Sequence, residues 1–312
     1  MQGLIPYIKI ARFDHWFKNI FVLPGIVVAV YERPELWNWA LSGRTLLALL
    51  AAGFVASSNY VINEILDAPR DALHPVKKDR PVPSGQVNTK AGYTLWIGFG
   101  VLGLALSWYL GTQFFISATV LWVMGCLYNI PPVRCKDQPY LDVLAESLNN
   151  PLRLMLGWYA AGMTVLPPAS LVAAYWMVGA FFMAVKRFAE YRRIDNPDLA
   201  TRYRNSFQHY NQERLLVSIT YYAVAFGLFF GIFLLRYRVE LLLSIPFIAG
   251  FIGWYIHLGF LADSPTQYPE KLYRQSGFVA YSALCIAIMI GLLFVDIPLI
   301  GEIFQPTIHT QR

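Results

Sequence analysis

Long apolar runs separated by short polar stretches dominate this chain. Roughly nine of them stand out, at 19–32, 45–66, 91–110, 113–130, 140–163, 168–185, 214–236, 239–261 and 278–300. A helix needs about twenty mostly apolar residues to cross the hydrocarbon core of a bilayer. The runs are long and do not alternate apolar with polar, so they predict helices rather than barrel strands. The first is short and the fifth carries polar residues along its length. The expected fold class is all-α, a polytopic membrane bundle of about nine transmembrane helices forming one domain over 1–312. Residues 1–18 hold Lys9, Arg12 and Lys18 among apolar neighbours and predict a short interfacial helix. No cleavable signal peptide is evident.

Composition agrees: 56% of the 312 residues are hydrophobic and 14% charged, where a soluble domain carries about a quarter charged. Three Lys/Arg precede the first span, and the loops after spans two, four, six and eight hold five, two, seven and two. Nineteen cations thus face one side and five the other, with Arg153 inside span five. By the positive-inside rule the N-terminus and the even-numbered loops face the cytoplasm, as in a bacterial inner-membrane protein. This asymmetry accounts for most of the net charge of +6 and calls for no nucleic-acid partner. Cys126, Cys135 and Cys285 lack metal-ligand spacing and are expected to be packing residues.

Acidic residues crowd the same face, which topology alone does not demand. Asn63, Asp67 and Asp71 recur at i, i+4 and i+8 and so share one helical face at the end of span two. Two carboxylates four residues apart repel, and desolvation at a membrane edge sharpens the cost. A divalent cation would offset it; one or two carboxylates completed by water and phosphate oxygens is the usual Mg²⁺ arrangement. The alternative is a polar helix end dipping into headgroups, with Asp71 paired to Arg70 or Lys77. Pro69 lies inside the motif and is expected to kink the helix there. The stiff, proline-rich stretch 74–85 follows, bearing Lys77, Lys78 and Arg80. Beside a Mg²⁺ site these cations suit a substrate with several phosphates; on their own they would be an ordinary lipid-facing basic loop.

The Asn-x-x-x-Asp-x-x-x-Asp pattern ending the second helix, with the His74-Pro-Val-Lys-Lys-Asp-Arg-Pro81 loop, resembles the UbiA superfamily of intramembrane prenyltransferases. So do Tyr128-Asn129 at the end of span four and Leu141-Asp-Val-Leu144 at the start of span five. The resemblance implies a UbiA-like bundle in which Asn63, Asp67 and Asp71 hold Mg²⁺ on a diphosphate at the cytoplasmic mouth of a lipid-filled cavity. Typical members carry a second Asp-rich motif after span six; this chain instead has Lys186, Arg187 and Glu190 on one face. Two cations with one carboxylate make a poor metal site and suit direct phosphate binding. Alternatively, they form a helix-end salt bridge among headgroups. The Lys-Arg-x-x-Glu element, the 204–210 stretch and Lys18-Asn19 look like the branch that contains decaprenyl-phosphate phosphoribosyltransferase.

That branch implies a phosphoribosyltransferase. A polyprenyl phosphate would attack the anomeric carbon of phosphoribosyl diphosphate (PRPP) and release diphosphate. Asp67, Asp71, Lys186, Arg187 and Glu190 are then the expected catalytic set. Lys77, Lys78 and Arg80 are expected on the phosphates of the donor, with Asn63, His74, Tyr128, Arg153 and Arg204 also binding substrate. Lys18 is expected at the lipid phosphate. A homo-oligomer is compatible with the sequence. The rival enzyme is a conventional prenyltransferase passing a prenyl group from its diphosphate to an aromatic or other acceptor. A transporter without chemistry would place functional charge near the midplane; the stripe Asp142, Glu146, Asn149, Asn150 and Arg153 in span five is its best argument.

Overall fold

The computed structural model describes residues 3–72, 77–194 and 204–304, and every regular element among them is helical. In chain order these are α1 (Ile5–Ile10), α2 (Leu23–Glu32), α3 (Trp39–Asp71), α4 (Thr89–Trp108), α5 (Thr112–Asn129), α6 (Leu141–Ser147) and α7 (Asn149–Ala160). Then come α8 (Ala169–Ile194), α9 (Gln212–Tyr237), α10 (Ile245–Phe260), α11 (Ser276–Phe294) and α12 (Pro298–Ile303). All nine apolar runs fall on helix. Among the described residues, seven helical stretches are long and apolar enough to cross a membrane. The other two runs correspond to α5, whose ends are polar, and to the broken pair α6–α7.

The chain forms two compact units, Met1–Pro167 with Ile194–Asn211, and Pro168–Arg193 with Gln212–Arg312. In the first, α3 packs against α4, α5 and α7, and α2 lies along α7. The face of α3 turned inward is built from Ala48, Ala51, Ala52 and Val55, all fully buried. Such small residues let helices approach closely where lipid provides no hydrophobic drive. The α2–α7 crossing is closer still. A Cβ on Gly25 would sit 2.0 Å from the Leu154 carbonyl oxygen, and one on Gly157 would sit 1.8 Å from that of Val22. Gly157→Ala must therefore push the two backbones apart. The expected cost is about 1–3 kcal/mol, read as a lower melting temperature in detergent; unchanged melting would disprove the contact.

Capping sets the helix ends. Asn38 accepts from the Leu41 N–H at 3.3 Å to start α3, and Asn88 accepts from Lys90 and Ala91 to start α4. At the other end of α4, Arg44 donates to the carbonyls of Leu110 and Ala160, tying together two C-terminal ends. Span five departs from the continuous helix expected over 140–163: it breaks at Leu148 between α6 and α7. Pro151 lacks the N–H that would bond to Ser147, which accounts for the interruption. Pro69, in contrast, is accommodated and α3 runs on to Asp71. The N-terminal stretch is α1 followed by a 3-10 helix over Phe13–Val22, with Arg12 left-handed (φ 50°) at the joint.

In the second unit, α10 packs against α11; Phe182 of α8 meets Phe251 and Tyr255 edge to face, while Phe278 of α11 stacks on Phe251 and tilts against Tyr255. On α9, Val217, Tyr221, Val224 and Leu228 form an exposed apolar stripe at helical spacing, as a lipid-facing surface requires. The three cysteines are free thiols, Cys135 and Cys285 buried and Cys126 half-buried, in keeping with packing roles.

Candidate functional site

The acidic end of α3 is the centre of the first unit's polar cluster. Asn63 donates through Nδ2 to Asn129 Oδ1 at 2.6 Å, which turns its carbonyl oxygen away from α5. Asp67 Oδ1 accepts from Lys136 Nζ at 2.7 Å and from Arg134 Nη2 at 2.8 Å. Asp71, buried, is paired with Arg80 at 2.6 Å and with Lys77 at 3.8 Å. The helical register read from sequence thus does bring Asn63, Asp67 and Asp71 to one edge, but each carboxylate already has cations on it. Asp71 pairs with Lys77, as the alternative reading anticipated, and with Arg80 rather than Arg70. Arg70 reaches instead to Asp137 at 2.9 Å.

The loop after α5 supplies what sequence reasoning missed. Arg134 adopts a left-handed conformation (φ 34°) and bridges Asp67, Asp137 and the Asn129 carbonyl. Lys136, buried, also donates to Asn129 Oδ1 at 2.9 Å. Burial pushes the Lys136 ammonium down to about 8 despite the attraction of Asp67, with Arg134 and Arg204 adding repulsion. Burial alone would raise Asp137, but its bonds to Arg70 and then Arg134 outweigh that and hold it below the usual carboxylate range. In sequence Arg134 and Lys136 look like two ordinary positive-inside cations; only their position beside Tyr128-Asn129 hinted at more.

Glu64, the neighbour of Asn63, points the other way. It is fully buried, accepts the Val82 N–H at 3.1 Å and faces Arg12 at 3.5 Å. It thereby holds the proline-rich loop with Lys77 and Arg80 against α3, while Ile10, Val61, Ile65, Val82 and Val87 seal the joint. Lys78 is exposed in that loop. His74 lies outside the described residues. Deeper in the unit, Arg12 and Lys18 lie over the Tyr60 ring at 5.9 and 6.0 Å. Buried Arg153 reaches Asn19 Oδ1 and the Asn149 carbonyl, both at 3.4 Å. Tyr128 is half-buried on the last turn of α5. Arg204 stands 3.6 Å from the buried Asp142.

Could this end of α3 hold a metal? Among the described residues no three His, Cys, Asp or Glu side chains converge on a point that could enclose an ion. Asp67 Oδ2 meets no donor among the described residues, and Asn63 Oδ1 and Asp71 Oδ1 are oxygen donors on the same face. Two carboxylates and an amide oxygen make the open, all-oxygen set that Mg²⁺ takes when phosphate completes its shell. The donor chemistry fits.

In the second unit, Lys186, Arg187 and Glu190 lie on the last turns of α8. Arg187 is 1% exposed and donates to Glu190 Oε2 at 3.0 Å. Lys186 is half-buried. Arg192 donates to the Phe260 carbonyl, and Gln267 donates to that of Ala189, so this end of α8 is braced by the loop after α10.

The sequence profile described as the UbiA prenyltransferase family matches residues 19–279. The chain belongs to that family of membrane prenyltransferases and is an integral membrane protein. Among its relatives, the decaprenyl-phosphate phosphoribosyltransferase of Mycolicibacterium smegmatis is 29% identical over 236 residues, 74% of this chain and 70% of its own. That of Corynebacterium glutamicum is 31% identical over 59% of this chain and 54% of its own. Another branch matches too: the bacteriochlorophyll synthase 33 kDa chain of Cereibacter sphaeroides is 28% identical over 53% of this chain and 46% of its own. The fold is that of a UbiA homolog from Archaeoglobus fulgidus, solved bound to GPP and Mg²⁺, with TM-score 0.69 and 22% identity over 93% of this chain and 100% of that one.

Proposed function

We propose that this protein transfers the 5-phosphoribosyl group of PRPP to a polyprenyl phosphate at the cytoplasmic face of a bacterial inner membrane. The observation that carries the reading is the acidic end of α3, where Asp67 and Asp71 are each shared with two cations. A site that mixes carboxylates for a metal with Arg and Lys for phosphate suits a diphosphate leaving group. Similarity to decaprenyl-phosphate phosphoribosyltransferases supports the choice of donor and acceptor. The Lys-Arg-x-x-Glu element supports it too, since it stands where a conventional member carries a second Asp-rich motif.

Asn63, Asp67 and Asp71 would hold Mg²⁺, the ion bound in the A. fulgidus homolog; when bound it supplies Lewis-acid neutralisation of the leaving diphosphate. A lipid phosphate oxygen forms the bond to C1 of the ribose as the bond from C1 to diphosphate breaks. The lipid phosphate is already an anion, so no general base is required. Lys77, Lys78 and Arg80, with Arg134 and Lys136, orient the diphosphate and 5-phosphate, and His74 lies in the same loop. Arg204, Tyr128 and Arg153 complete the donor's surroundings, and Lys18 takes the lipid phosphate. On α8, Lys186 and Arg187 are the proposed cations for a phosphoryl group, and Glu190 holds Arg187.

Purified protein given Mg²⁺, PRPP and a polyprenyl phosphate should release diphosphate and form a lipid-linked pentose phosphate. Lys186→Ala should raise the KM for PRPP by about tenfold or more, the scale of one charge-assisted contact. Consumption of a prenyl diphosphate with an aromatic acceptor, and none of PRPP, would return the chain to conventional prenyl transfer. Transport without turnover would remove it from enzymes altogether.

A further inference from the structure

Among the described residues, Asp142 is the most completely buried carboxylate of the first unit, at 0% exposure in the first turn of α6. Three side chains converge on it. Tyr210 donates its hydroxyl to Oδ1 at 2.7 Å, and Ser206 donates to Oδ2 at 3.2 Å. Arg204 Nη1 stands 3.6 Å from Oδ2. The Tyr210 hydroxyl also accepts the N–H of Tyr140, and the two rings meet edge to face at 5.3 Å. Tyr140 has φ 63°, unusual for a residue with a side chain, so this contact braces a strained start to α6.

Neutral hydroxyls alone would suffice to anchor the 204–210 segment. A carboxylate without water is costly unless a charge answers it, and the charge here is Arg204, whose side chain stays 20% exposed. The Asn205–His209 turn that follows Arg204 packs against the Cys135–Asp137 turn, which carries Lys136, and Lys136 touches Asp67.

We propose that Asp142 is a positioning residue. Through Tyr210 and Ser206 it clamps the 204–210 segment to the start of α6 and so delivers Arg204 to the acidic end of α3 as a phosphate-binding cation. This rests on the reading that the site takes a phosphate-bearing substrate, but not on which one. The chemistry shared by PRPP and a prenyl diphosphate is the diphosphate group.

The test uses the full chain in lipid nanodiscs with Mg²⁺ and inorganic diphosphate as the probe. Arg204→Ala should weaken diphosphate binding by about tenfold, the scale of one charge-assisted hydrogen bond. Tyr210→Phe should lose a similar factor, the double variant should lose no more than either single one, and Arg204→Lys should recover most of the affinity. Unchanged affinity in either single variant overturns the proposal, even if the melting temperature falls, because the clamp would then serve only folding. Losses that multiply in the double variant overturn it too, as does a wild-type protein that binds no diphosphate. Wild-type binding with the expected losses, but no pentose transfer from PRPP, supports the clamp and sinks the donor assignment instead.

Discussion

Replacing Asp67 by Asn should lower kcat by ~10²–10³-fold, the scale seen when one group that stabilises developing charge is removed from a dry site. The substitution keeps the side chain's size and one oxygen, so packing at the end of α3 is preserved. What it removes is the charge that Lys136 and Arg134 answer at 2.7 and 2.8 Å, together with the anionic oxygen that would bind Mg²⁺. The loss should appear in kcat more than in KM, because charge on the leaving diphosphate grows toward the transition state. Raising the Mg²⁺ concentration should recover part of the activity if Asp67 is a ligand. A variant as active as the wild type at limiting Mg²⁺ would show that Asp67 is merely a counter-ion for the loop.

Glu190→Leu should destabilise the second unit by about 3–5 kcal/mol, the cost of removing one member of a buried ion pair. Arg187 is 1% exposed, so its guanidinium has little recourse to water once the carboxylate 3.0 Å away is gone. The pair also supplies a control that separates folding from function. Changing both residues, Arg187→Met with Glu190→Leu, should restore most of the stability, since a well-packed apolar pair replaces a buried ion pair at little net cost. Activity should stay low in the double variant if the pair is part of the phosphate site. Thermal unfolding in detergent reads the first effect and diphosphate release the second. A Glu190→Leu protein that melts like the wild type would mean that Arg187 is answered by other groups.

Much of the helical framework is legible in the sequence because hydrocarbon forces each spanning segment to satisfy its own backbone. Nine apolar runs therefore land on helix. The exceptions have local causes: Pro151 divides span five, and the first short run enters as a 3-10 turn before α2. The i, i+4, i+8 spacing likewise placed Asn63, Asp67 and Asp71 on one face, since it depends on helical geometry alone.

The partners of those residues could not be read in the same way. Lys136 and Asp67 are 69 residues apart, Arg134 and Asp67 are 67 apart, and Ser206 and Asp142 are 64 apart. Nothing in local periodicity says which cation of a basic loop folds back on which acid. Glu64 and Asp67 also look equivalent as carboxylates on one helix, yet Glu64 turns to the Val82 N–H and Arg12, and Asp67 to Arg134 and Lys136.

The sequence by itself determined the apolar helices, the uneven share of cations among the loops, and the one acidic face, because hydropathy, loop charge and helical period are properties of neighbouring residues. Only the tertiary structure decided which cations share Asp67 and Asp71, that Arg187 is buried against Glu190, and that Asp142 holds the 204–210 segment. Those outcomes depend on how far each charge is withdrawn from water and on what the packing of distant segments places within a few ångströms of it.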